Sequence, residues 1–513
     1  MEKAYDKFRE RQALLEKQYD DTYFDKQHRR GKLTARERMA LLFDGGRFEE
    51  LDAFSPPANV AFGKSIPAFG DGVITGFGQV NGRLVYAYAQ DFNVLGGSLG
   101  ATHAAKIVKI QDLALKTGSP VVALIDSGGA RIQEGVASLA GYAQIFRRNV
   151  LASGVVPQLS AIMGPAAGGA VYSPALTDFI FMTASTSYMF VTGPEVVKQV
   201  LNEQVSADEL GGAQVHAVES GVAHFVYNDD EHTILGIKML LSYLPSNNIE
   251  NAPFVGTDDP DDRQEVQLRD LVPDDPDLPY DVRDVVKTVV DKGRFLEVAE
   301  AHAPNMVIGF ARMGGMVTGI VANQPQSLAG ALDINASVKA ARFVNFCDSF
   351  NIPLVTFEDV PGFLPGTDQE HAGLIRHGAK LLYAYTRATV PKVTVILRKS
   401  YGGAYIVMNS KGIGGDYNFA WPTAEIAVMG PEGAIAILYR KELAEAADPG
   451  ALKAQLLAKY RQDVANPYIA DEKGFVDEVI DPAQTRTKII GALKSLSKKT
   501  VGIPRRKHGN TPL

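Results

Sequence analysis

The chain has 513 residues, of which 46% are hydrophobic and 22% are charged, and its formal net charge is −7 at pH 7. This length and composition predict two soluble globular domains of similar size rather than one large core. The negative charge argues against nucleic acid as the main partner, because phosphate binding requires a dominant basic surface. The sequence has no run of about 18 apolar residues and no apolar signal segment, so we expect a cytoplasmic protein without membrane association.

Cysteine and histidine usage limits the chemistry further. Cys347 is the only cysteine in the sequence, which excludes an intrachain disulfide and a four-cysteine zinc site. The metalloprotease pattern His-Glu-x-x-His is absent as well, so we predict no metal. His371 and His377 flank a predicted helix start, and we interpret both as helix-surface or capping residues rather than as bases.

Helices and strands alternate along the first half of the chain. The first 40 residues have helical spacing, and we interpret the basic stretch over 26–38 as a solvated helix face. Asn81-Gly82, a dipeptide typical of hairpin turns, then joins two strands with alternating apolar residues. The predicted elements are strands over 73–77 and 84–89, a helix over 104–116, and buried strands over 120–125 and 155–163. This alternation predicts an α/β fold.

Composition changes sharply near the middle of the chain. Residues 256–279 are rich in aspartate and proline. Such a segment buries too little apolar surface to offset the entropy lost on ordering, so we interpret it as a linker. The predicted domains are therefore an N-terminal one over 1–260 and a C-terminal one over 261–513.

The second half repeats the landmarks of the first half at an offset of 233 residues. Equivalent residues keep their identity and their order within the same strand-and-turn pattern. The pairs are Gly97 and Gly330, Leu99 and Leu332, Lys106 and Lys339, Pro120 and Pro353, Val122 and Val355, and Asp126 and Asp359. With one more residue inserted, Gly168-Gly169 falls on Gly402-Gly403. The sequence therefore predicts two copies of one fold.

Two glycine-rich segments follow predicted strands in each half. They lie over 127–131 and 164–170 in the first half, and over 359–363 and 400–405 in the second. Small residues after a strand let a ligand approach the backbone, and a following helix turns its free N–H groups toward that ligand. A pair of such donors suits a developing oxyanion. One such segment is more often only a tight turn, but two at matching places in two repeats favour a functional site.

Four long motifs of this chain resemble one enzyme family. They are Ile-Asp-Ser-Gly-Gly-Ala-Arg-Ile-Gln-Glu-Gly over 125–135, Gly-Gly-Ala-Val-Tyr-Ser-Pro-Ala over 168–175, Glu-Asp-Val-Pro-Gly-Phe-Leu-Pro-Gly over 358–366, and Ala-Trp-Pro-Thr-Ala-Glu-Ile-Ala-Val-Met-Gly over 420–430. In content and order they resemble the β (carboxyltransferase) subunits of propionyl-CoA and acetyl-CoA carboxylases. The likeness runs from about Gln27 to the His508-Gly509-Asn510 region, which is essentially the whole chain.

The resemblance implies a fold, an assembly and a set of site residues. The fold would be two tandem crotonase-like domains, each a spiral of ββα units, and the assembly a homohexamer. Acyl-CoA would lie across the N-terminal domain, with its thioester oxygen on the N–H groups of Gly168 and Gly169. Biotin would lie across the C-terminal domain, with its ureido oxygen on the N–H groups of Gly403 and Ala404. The further substrate-binding residues implied are Ser127, Gly128, Gly129 and Ala130.

The resemblance also implies how the reaction runs and which partners it needs. In the mechanism usual for the family, carboxybiotin releases CO₂ and the exposed biotin nitrogen removes the α-proton, so no protein base is required. The chain has no Met-Lys-Met biotin-attachment sequence and no ATP-binding motif that we recognise. We therefore expect biotin on a separate subunit or domain, with biotin carboxylase and the biotin carboxyl carrier as partners. Ile406 stands where propionyl-preferring relatives often carry Asp, which favours acetyl-accepting or broad-range activity; a simple packing role is an equal alternative.

Three other functions stay open at this point. The α subunit of methylmalonyl-CoA decarboxylase and a transcarboxylase subunit use the same kind of site with another direction or partner. A crotonase-like acyl-CoA hydratase or isomerase would need a carboxylate near the first pair of donors, and the sequence does not offer one. A non-catalytic scaffold is disfavoured because both glycine motifs are intact.

Overall fold

The computed structural model describes residues 2–58 and 69–512. The chain divides into two compact units between Asn251 and Ala252. No helix in the described ranges is long and apolar enough to cross a membrane.

The first unit is an α/β structure that opens with three helices. These confirm the helical prediction for the first 40 residues. The elements of this unit are α1 (Glu2–Gln18), α2 (Asp21–His28), α3 (Ala35–Leu42), β1 (Phe48–Leu51), β2 (Val73–Val80), β3 (Arg83–Gln90), α4 (Ala101–Thr117), β4 (Val121–Ser127), α5 (Val136–Ala152), β5 (Gln158–Ala167), α6 (Tyr172–Ala175), β6 (Phe179–Thr183), β7 (Tyr188–Phe190), α7 (Pro194–Leu201), α8 (Ala207–Gly211), α9 (Ala213–Val218), β8 (Phe225–Tyr227) and α10 (Asp230–Leu241).

One sheet forms the centre of this unit, in the order β1-β2-β3-β4-β5-β6-β8, with β7 paired to β5. The first three strands are antiparallel and the later ones are parallel. Asn81 and Gly82 join β2 to β3 with φ values of 52° and 74°. Positive φ at both turn residues matches the right-handed twist of the strands. The predicted hairpin is therefore confirmed.

The second unit repeats this plan. Its elements are α11 (Leu268–Leu271), α12 (Val282–Val289), β9 (Phe295–Val298), β10 (Met306–Met313), β11 (Met316–Asn323), α13 (Ile334–Ser349), β12 (Leu354–Val360), α14 (Thr367–His371), α15 (Leu374–Arg387), β13 (Lys392–Tyr401), α16 (Gly402–Val407), β14 (Tyr417–Ala420), β15 (Glu425–Ala427), α17 (Pro431–Leu438), α18 (Arg440–Glu445), α19 (Pro449–Asp463), α20 (Pro467–Glu472), β16 (Glu478–Val479) and α21 (Thr485–Ser495).

The two sheets agree strand by strand and even in their irregularities. The second sheet has the order β9-β10-β11-β12-β13-β14-β16, with β15 paired to β13. In the first sheet the register between β4 and β5 shifts between Ile125 and Ser127. In the second, the register between β12 and β13 shifts between Glu358 and Val360, at the equivalent position. Because a bulge of this kind redirects the strand end, both units present their following loops in the same way.

The acidic segment over 256–279 differs from the expected solvated linker. Leu268 is fully buried in the core of the second unit. The Nη1 of Arg398 donates to the carbonyl oxygens of Asp275 (2.8 Å) and Leu278 (3.0 Å). Most side chains of the segment are polar, but Leu268 packs into the core and backbone carbonyls accept hydrogen bonds from a buried guanidinium. Composition alone cannot reveal that contribution.

Part of the basic stretch over 26–38 is buried, so the prediction of a solvated face was wrong for two of its members. Lys32 and Arg38 both contact Asp126 at the end of β4, at 2.6 and 2.9 Å. Arg38 also contacts Asp230 at 2.8 Å. Charges removed from water need such partners. These residues therefore attach the N-terminal helices to the end of the strand that precedes the first glycine-rich segment.

Lys106 and Lys339 occupy equivalent places in the two units and make equivalent contacts. The Nζ of Lys106 donates to the carbonyl oxygens of Gly70 (2.9 Å) and Val73 (2.5 Å). The Nζ of Lys339 donates to those of His302 (2.7 Å) and Ala303 (3.3 Å). Burial lowers the pKa of Lys106 to about 8 and that of Lys339 to about 7. Each lysine thus holds the segment that leads into an antiparallel strand of its sheet, β2 in the first unit and β10 in the second.

Candidate active site

The first glycine motif forms a short helix at the carboxyl end of β5. A 3₁₀ helix spans Gly168–Val171 directly after the strand ends at Ala167. Gly168 has φ 58°, a left-handed conformation in which a side chain is strained. The turn places the first N–H groups of this helix at the carboxyl end of β5.

The second glycine motif makes the same turn at the end of β13. The helix α16 begins at Gly402, whose φ is 61°. A Cβ on Gly402 would lie 3.1 Å from the carbonyl oxygen of Val428, and one on Gly403 would have only Phe363 nearby, at 3.9 Å. Two strands at equivalent places in two sheets therefore end in the same glycine-dependent turn.

Helix type decides how many donors each motif offers. The hydrogen bonds of a 3₁₀ helix run from i to i+3, so the N-cap carbonyl of Ala167 accepts from the third helical residue. The N–H groups of Gly168 and Gly169 then have no partner within the helix. In α16 the bonds run from i to i+4. Gly402, Gly403 and Ala404 are therefore unpaired within the helix. The predicted donor pairs are contained in these two sets.

The residues predicted to contact substrate after β4 lie beside the first donor set, because β4 and β5 are neighbouring parallel strands with Ser127 opposite Ala166. Ser127 itself is fully buried. Its Oγ donates to the carbonyl oxygen of Gly97 (2.7 Å) and accepts from the N–H of Gly129 (3.1 Å). The hydroxyl thus shapes the loop. Gly128 is exposed and Ala130 is half-buried, which leaves these two residues to contact a ligand.

Arg131 anchors this loop, a role that the sequence analysis missed. Its Nη1 contacts Asp71 at 2.6 Å and Glu134 at 2.8 Å, and its Nη2 donates to the carbonyl oxygen of Ser98. Glu134 in turn accepts from the N–H of Ala101 at the start of α4 (2.6 Å). The Arg131–Glu134 spacing was visible in the sequence, but Asp71 is 60 residues away. Only the fold brings it to the guanidinium.

The second donor set has its own support. Tyr401, the residue before Gly402, donates its hydroxyl to Glu425 on β15. Arg461 on α19 contacts the other oxygen of Glu425 at 2.9 Å. The ring of Phe363 lies between Gly403 and Gly378 of α15; a Cβ on Gly378 would be 2.9 Å from that ring. The start of α16 is therefore supported from two sides.

Glu358 and Asp359 lie near the second donor set but contact different groups. Glu358 accepts a hydrogen bond from the Oγ of Ser400 at 2.7 Å. Asp359 contacts Arg398 at 3.1 Å and the hydroxyl of Tyr280 at 3.0 Å. Burial raises the pKa of Glu358 well above its usual value. Adjacent residues of a strand point to opposite faces of the sheet, so these two carboxylates do not form a paired acid and base.

Ile406 and the two histidines have exposed or half-exposed positions. Ile406 lies on α16 two residues after Ala404, and 45% of its surface is exposed. His371 is exposed at the end of α14, and His377 lies in the first turn of α15. Across residues 2–58 and 69–512, no cluster of three His, Cys, Asp or Glu side chains could bind a metal ion.

Comparison with known proteins gives consistent matches across the whole chain. Residues 26–511 match the family described as the carboxyl transferase domain. The propionyl-CoA carboxylase carboxyltransferase subunit of Haloferax mediterranei is 56% identical over 514 residues, which cover 100% of both chains. The methylmalonyl-CoA decarboxylase subunit alpha of Veillonella parvula is 54% identical, over 95% of each chain.

Solved structures agree with these sequence matches. The crystal structure of transcarboxylase 12S, described as a hexamer with methylmalonyl-coenzyme A and methylmalonic acid bound, superimposes with a TM-score of 0.96. It is 52% identical in sequence, and the match covers 100% of this chain and 98% of that one. A single-chain long-chain acyl-CoA carboxylase matches 95% of this chain at 29% identity, with a TM-score of 0.83.

Proposed function

The chain belongs to the carboxyl transferase family, as a biotin-dependent carboxyltransferase component of the propionyl-CoA carboxylase type, and we propose that it moves a carboxyl group between carrier-bound biotin and the α-carbon of a short acyl-CoA. Its α/β fold, two tandem crotonase-like domains, is that of the solved relatives. Propionyl-CoA and acetyl-CoA are the proposed substrates. Biotin would be carried by a separate subunit or domain, which partners with biotin carboxylase.

The duplicated donor set is the observation that carries this proposal. Carboxyl transfer requires two carbonyl oxygens to gain negative charge, one on the thioester and one on the ureido group of biotin. The two units each present unpaired N–H groups at the same strand end. Donors fixed before the reaction stabilise charge that develops in the transition state at no further reorganisation cost. One donor set for each oxygen is the minimum that this chemistry needs.

Each donor set has a proposed partner. In the first unit, Gly168 and Gly169 would donate to the thioester oxygen as the α-proton leaves and the enolate forms. In the second unit, Gly403 and Ala404 would donate to the ureido oxygen. Carboxybiotin, when bound, supplies the carboxyl group and then the base. The buried Glu358, which accepts a hydrogen bond from Ser400, fits this division, because it would support the strand end and not act as a base.

The loop after β4 would complete the acyl-CoA side. We propose that Ser127, Gly128, Gly129 and Ala130 line the thioester region, with Ser127 acting through the loop backbone. We also propose that Ile406, on α16, influences the length of acyl group that the enzyme accepts. Because one methylene is worth only about 1–3 kcal/mol, a single residue can shift the preference between acetyl- and propionyl-CoA.

Decarboxylation or transcarboxylation is a second candidate, supported by the matches themselves. A methylmalonyl-CoA decarboxylase subunit and transcarboxylase 12S are about as similar to this chain as the propionyl-CoA carboxylase subunits. The proposed half-reaction with biotin would serve either candidate, so the direction of net flux would depend on the partner. A homohexamer in the cytoplasm is the proposed form, and a solution mass near six times the 55.3 kDa chain would support it.

The decisive experiment is transfer of a carboxyl group, without ATP, from methylmalonyl-CoA or malonyl-CoA to free biotin by the purified chain. Formation of propionyl-CoA or acetyl-CoA that depends on biotin would support the half-reaction and place both sites on this subunit. A folded protein that binds acyl-CoA but transfers nothing to biotin would exclude this function. It would favour the hydratase or scaffold alternatives.

A further inference from the structure

The helix α15 carries a cluster of basic side chains that lack acidic partners. The Nζ of Lys380 lies 3.3 Å from Nδ1 of His377, and Nη2 of Arg376 lies 3.3 Å from its Nε2. Within the described ranges, no carboxylate forms an ion pair with these three residues, and neither Asp368 nor Glu370 on the preceding α14 contacts them. We call Arg376, His377 and Lys380 the basic rim.

Two of these side chains carry the charge of the basic rim. Slight burial, followed by the charges of Lys380 and Arg376, lowers the pKa of His377. The imidazole is therefore neutral at pH 7, and it can accept a hydrogen bond from only one of its cationic neighbours. On a chain with net charge −7, two adjacent cations without counter-charges are free to attract an anionic partner.

The basic rim lies beside the proposed biotin-side donors. Gly378 follows His377 directly, and its backbone packs on the ring of Phe363. The opposite edge of that ring lies 3.9 Å from the Cβ position of Gly403. One aromatic ring therefore separates Gly378, the residue after His377, from Gly403. A chain that delivers biotin to Gly403 and Ala404 would come near this part of α15.

An apolar residue and the C-terminal tail extend the surface. Ile375, next to Arg376, is 82% exposed, which gives the rim an apolar neighbour of the kind found at protein interfaces. At the other end of α15, the backbone of Gly509 lies directly against the hydroxyl of Tyr383. The exposed residues before Gly509 are Arg505, Arg506, Lys507 and His508. The tail thus brings further positive charge to the same helix.

We propose that the basic rim is the docking surface for an acidic face of the biotin-bearing carrier chain, an inference that rests on the function proposed above. In the proposed function another chain carries biotin, so each turnover would require an encounter between two proteins. Opposite charges around a docking site mainly raise the rate of encounter, and they do so less at high salt. The apolar Ile375 would contact the carrier at the centre of the encounter.

The test compares three carboxyl acceptors in the ATP-independent reaction with methylmalonyl-CoA. Two are biotinylated peptides of equal length, one with glutamates around the biotinyl-lysine and one with glutamines in their place. The third is biotin methyl ester, which carries no charge. We expect kcat/KM for the acidic peptide to exceed that for the neutral peptide about tenfold in about 0.01 M salt, and the difference to vanish near 1 M.

The double variant Arg376→Glu/Lys380→Glu should lose this preference and transfer to biotin methyl ester at the wild-type rate. Lys453→Glu, on the exposed surface of α19, is the matched control and should keep the preference. Equal use of both peptides by the wild type would overturn the proposal. So would a variant in which transfer to all acceptors falls equally, or one in which only the KM for methylmalonyl-CoA rises. If the wild type transfers to no acceptor, the proposed function itself fails, which is a different result.

Discussion

The ring of Tyr142 lies so close to Gly169 that a Cβ on that glycine would be 2.9 Å from both Cδ2 and Cε2 of the ring. Tyr142 is buried on α5, so it cannot move aside easily. The ring of Tyr142 thus packs against the backbone of the first proposed donor pair. Because the ring leaves no room for a methyl group, an alanine at position 169 would have to shift the backbone or the ring.

Gly169→Ala should displace the first donor pair. We expect carboxyl transfer to fall about 10²-fold or more, as for loss of an oxyanion donor, and the free energy of unfolding to fall by about 1–3 kcal/mol from overpacking. The measurements are ATP-independent transfer and chemical denaturation. Gly169→Ala combined with Tyr142→Ala should recover part of the rate, because it restores space. Wild-type activity in the single variant would show that transfer does not depend on the close packing of Tyr142 against Gly169.

Ala404→Pro should remove one biotin-side donor without disturbing the first unit. Proline has no N–H and is tolerated in the first turn of a helix, where the N–H of Ala404 is unpaired. We expect transfer to biotin to fall about 10²–10³-fold, with unchanged binding of acyl-CoA by calorimetry. Ala404→Gly keeps the N–H and is the control. If the folded proline variant transfers normally, the ureido oxygen is bound elsewhere.

Ile406→Asp should narrow the range of acyl-CoA substrates. The side chain is partly exposed, so a carboxylate can be accommodated there without a large loss of stability. We expect the ratio of kcat/KM for propionyl-CoA to that for acetyl-CoA to rise about tenfold, within the range set by one methylene. Titrations with acetyl-, propionyl- and butyryl-CoA measure it. Ile406→Asn separates charge from size, and an unchanged ratio in the aspartate variant would remove Ile406 from the specificity argument.

Lys339 should make stability depend on pH above neutrality. Its pKa is about 7 in the folded chain and about 10.4 when unfolded. Between these values the unfolded chain binds more protons, so the free energy of unfolding should rise with pH, by up to about 1.4 kcal/mol per pH unit. Lys339→Met should flatten this slope, whereas Lys453→Met on the surface should not. Urea denaturation from pH 7 to 9.5 tests it, and equal slopes in all three proteins would contradict the assignment.

Much of the fold could be predicted from the sequence, because local turn and strand signals and the internal repeat indicate the same structure. The Asn81-Gly82 hairpin, the strand-and-turn pattern and the 233-residue offset depend on short-range chemistry or on direct comparison of the two halves. The two glycine motifs could be predicted for the same reason, because a glycine directly after a strand is a local signal of a tight turn.

What the sequence did not reveal depends on residues far apart in the chain. Lys32 and Arg38 were interpreted as solvated, yet their partner Asp126 lies about 90 positions later. The support of Arg131 by Asp71 and that of Tyr401 by Glu425 have the same character. The choice between a 3₁₀ and an α-helical turn after Gly168 and Gly402, which sets the number of donors, also depends on packing. Local propensity does not determine it.

The strand-by-strand agreement of the two sheets bears on how the gene arose and on how it could be divided. Among residues 2–58 and 69–512, each sheet takes all of its strands from one side of the Asn251–Ala252 boundary. A single ancestral gene, duplicated in tandem and fused, would yield this arrangement. The reverse event, a stop and a new start codon at that boundary, would encode two polypeptides that each keep a whole sheet and one donor loop. Descendants of such a fission would divide acyl-CoA and biotin recognition between two genes.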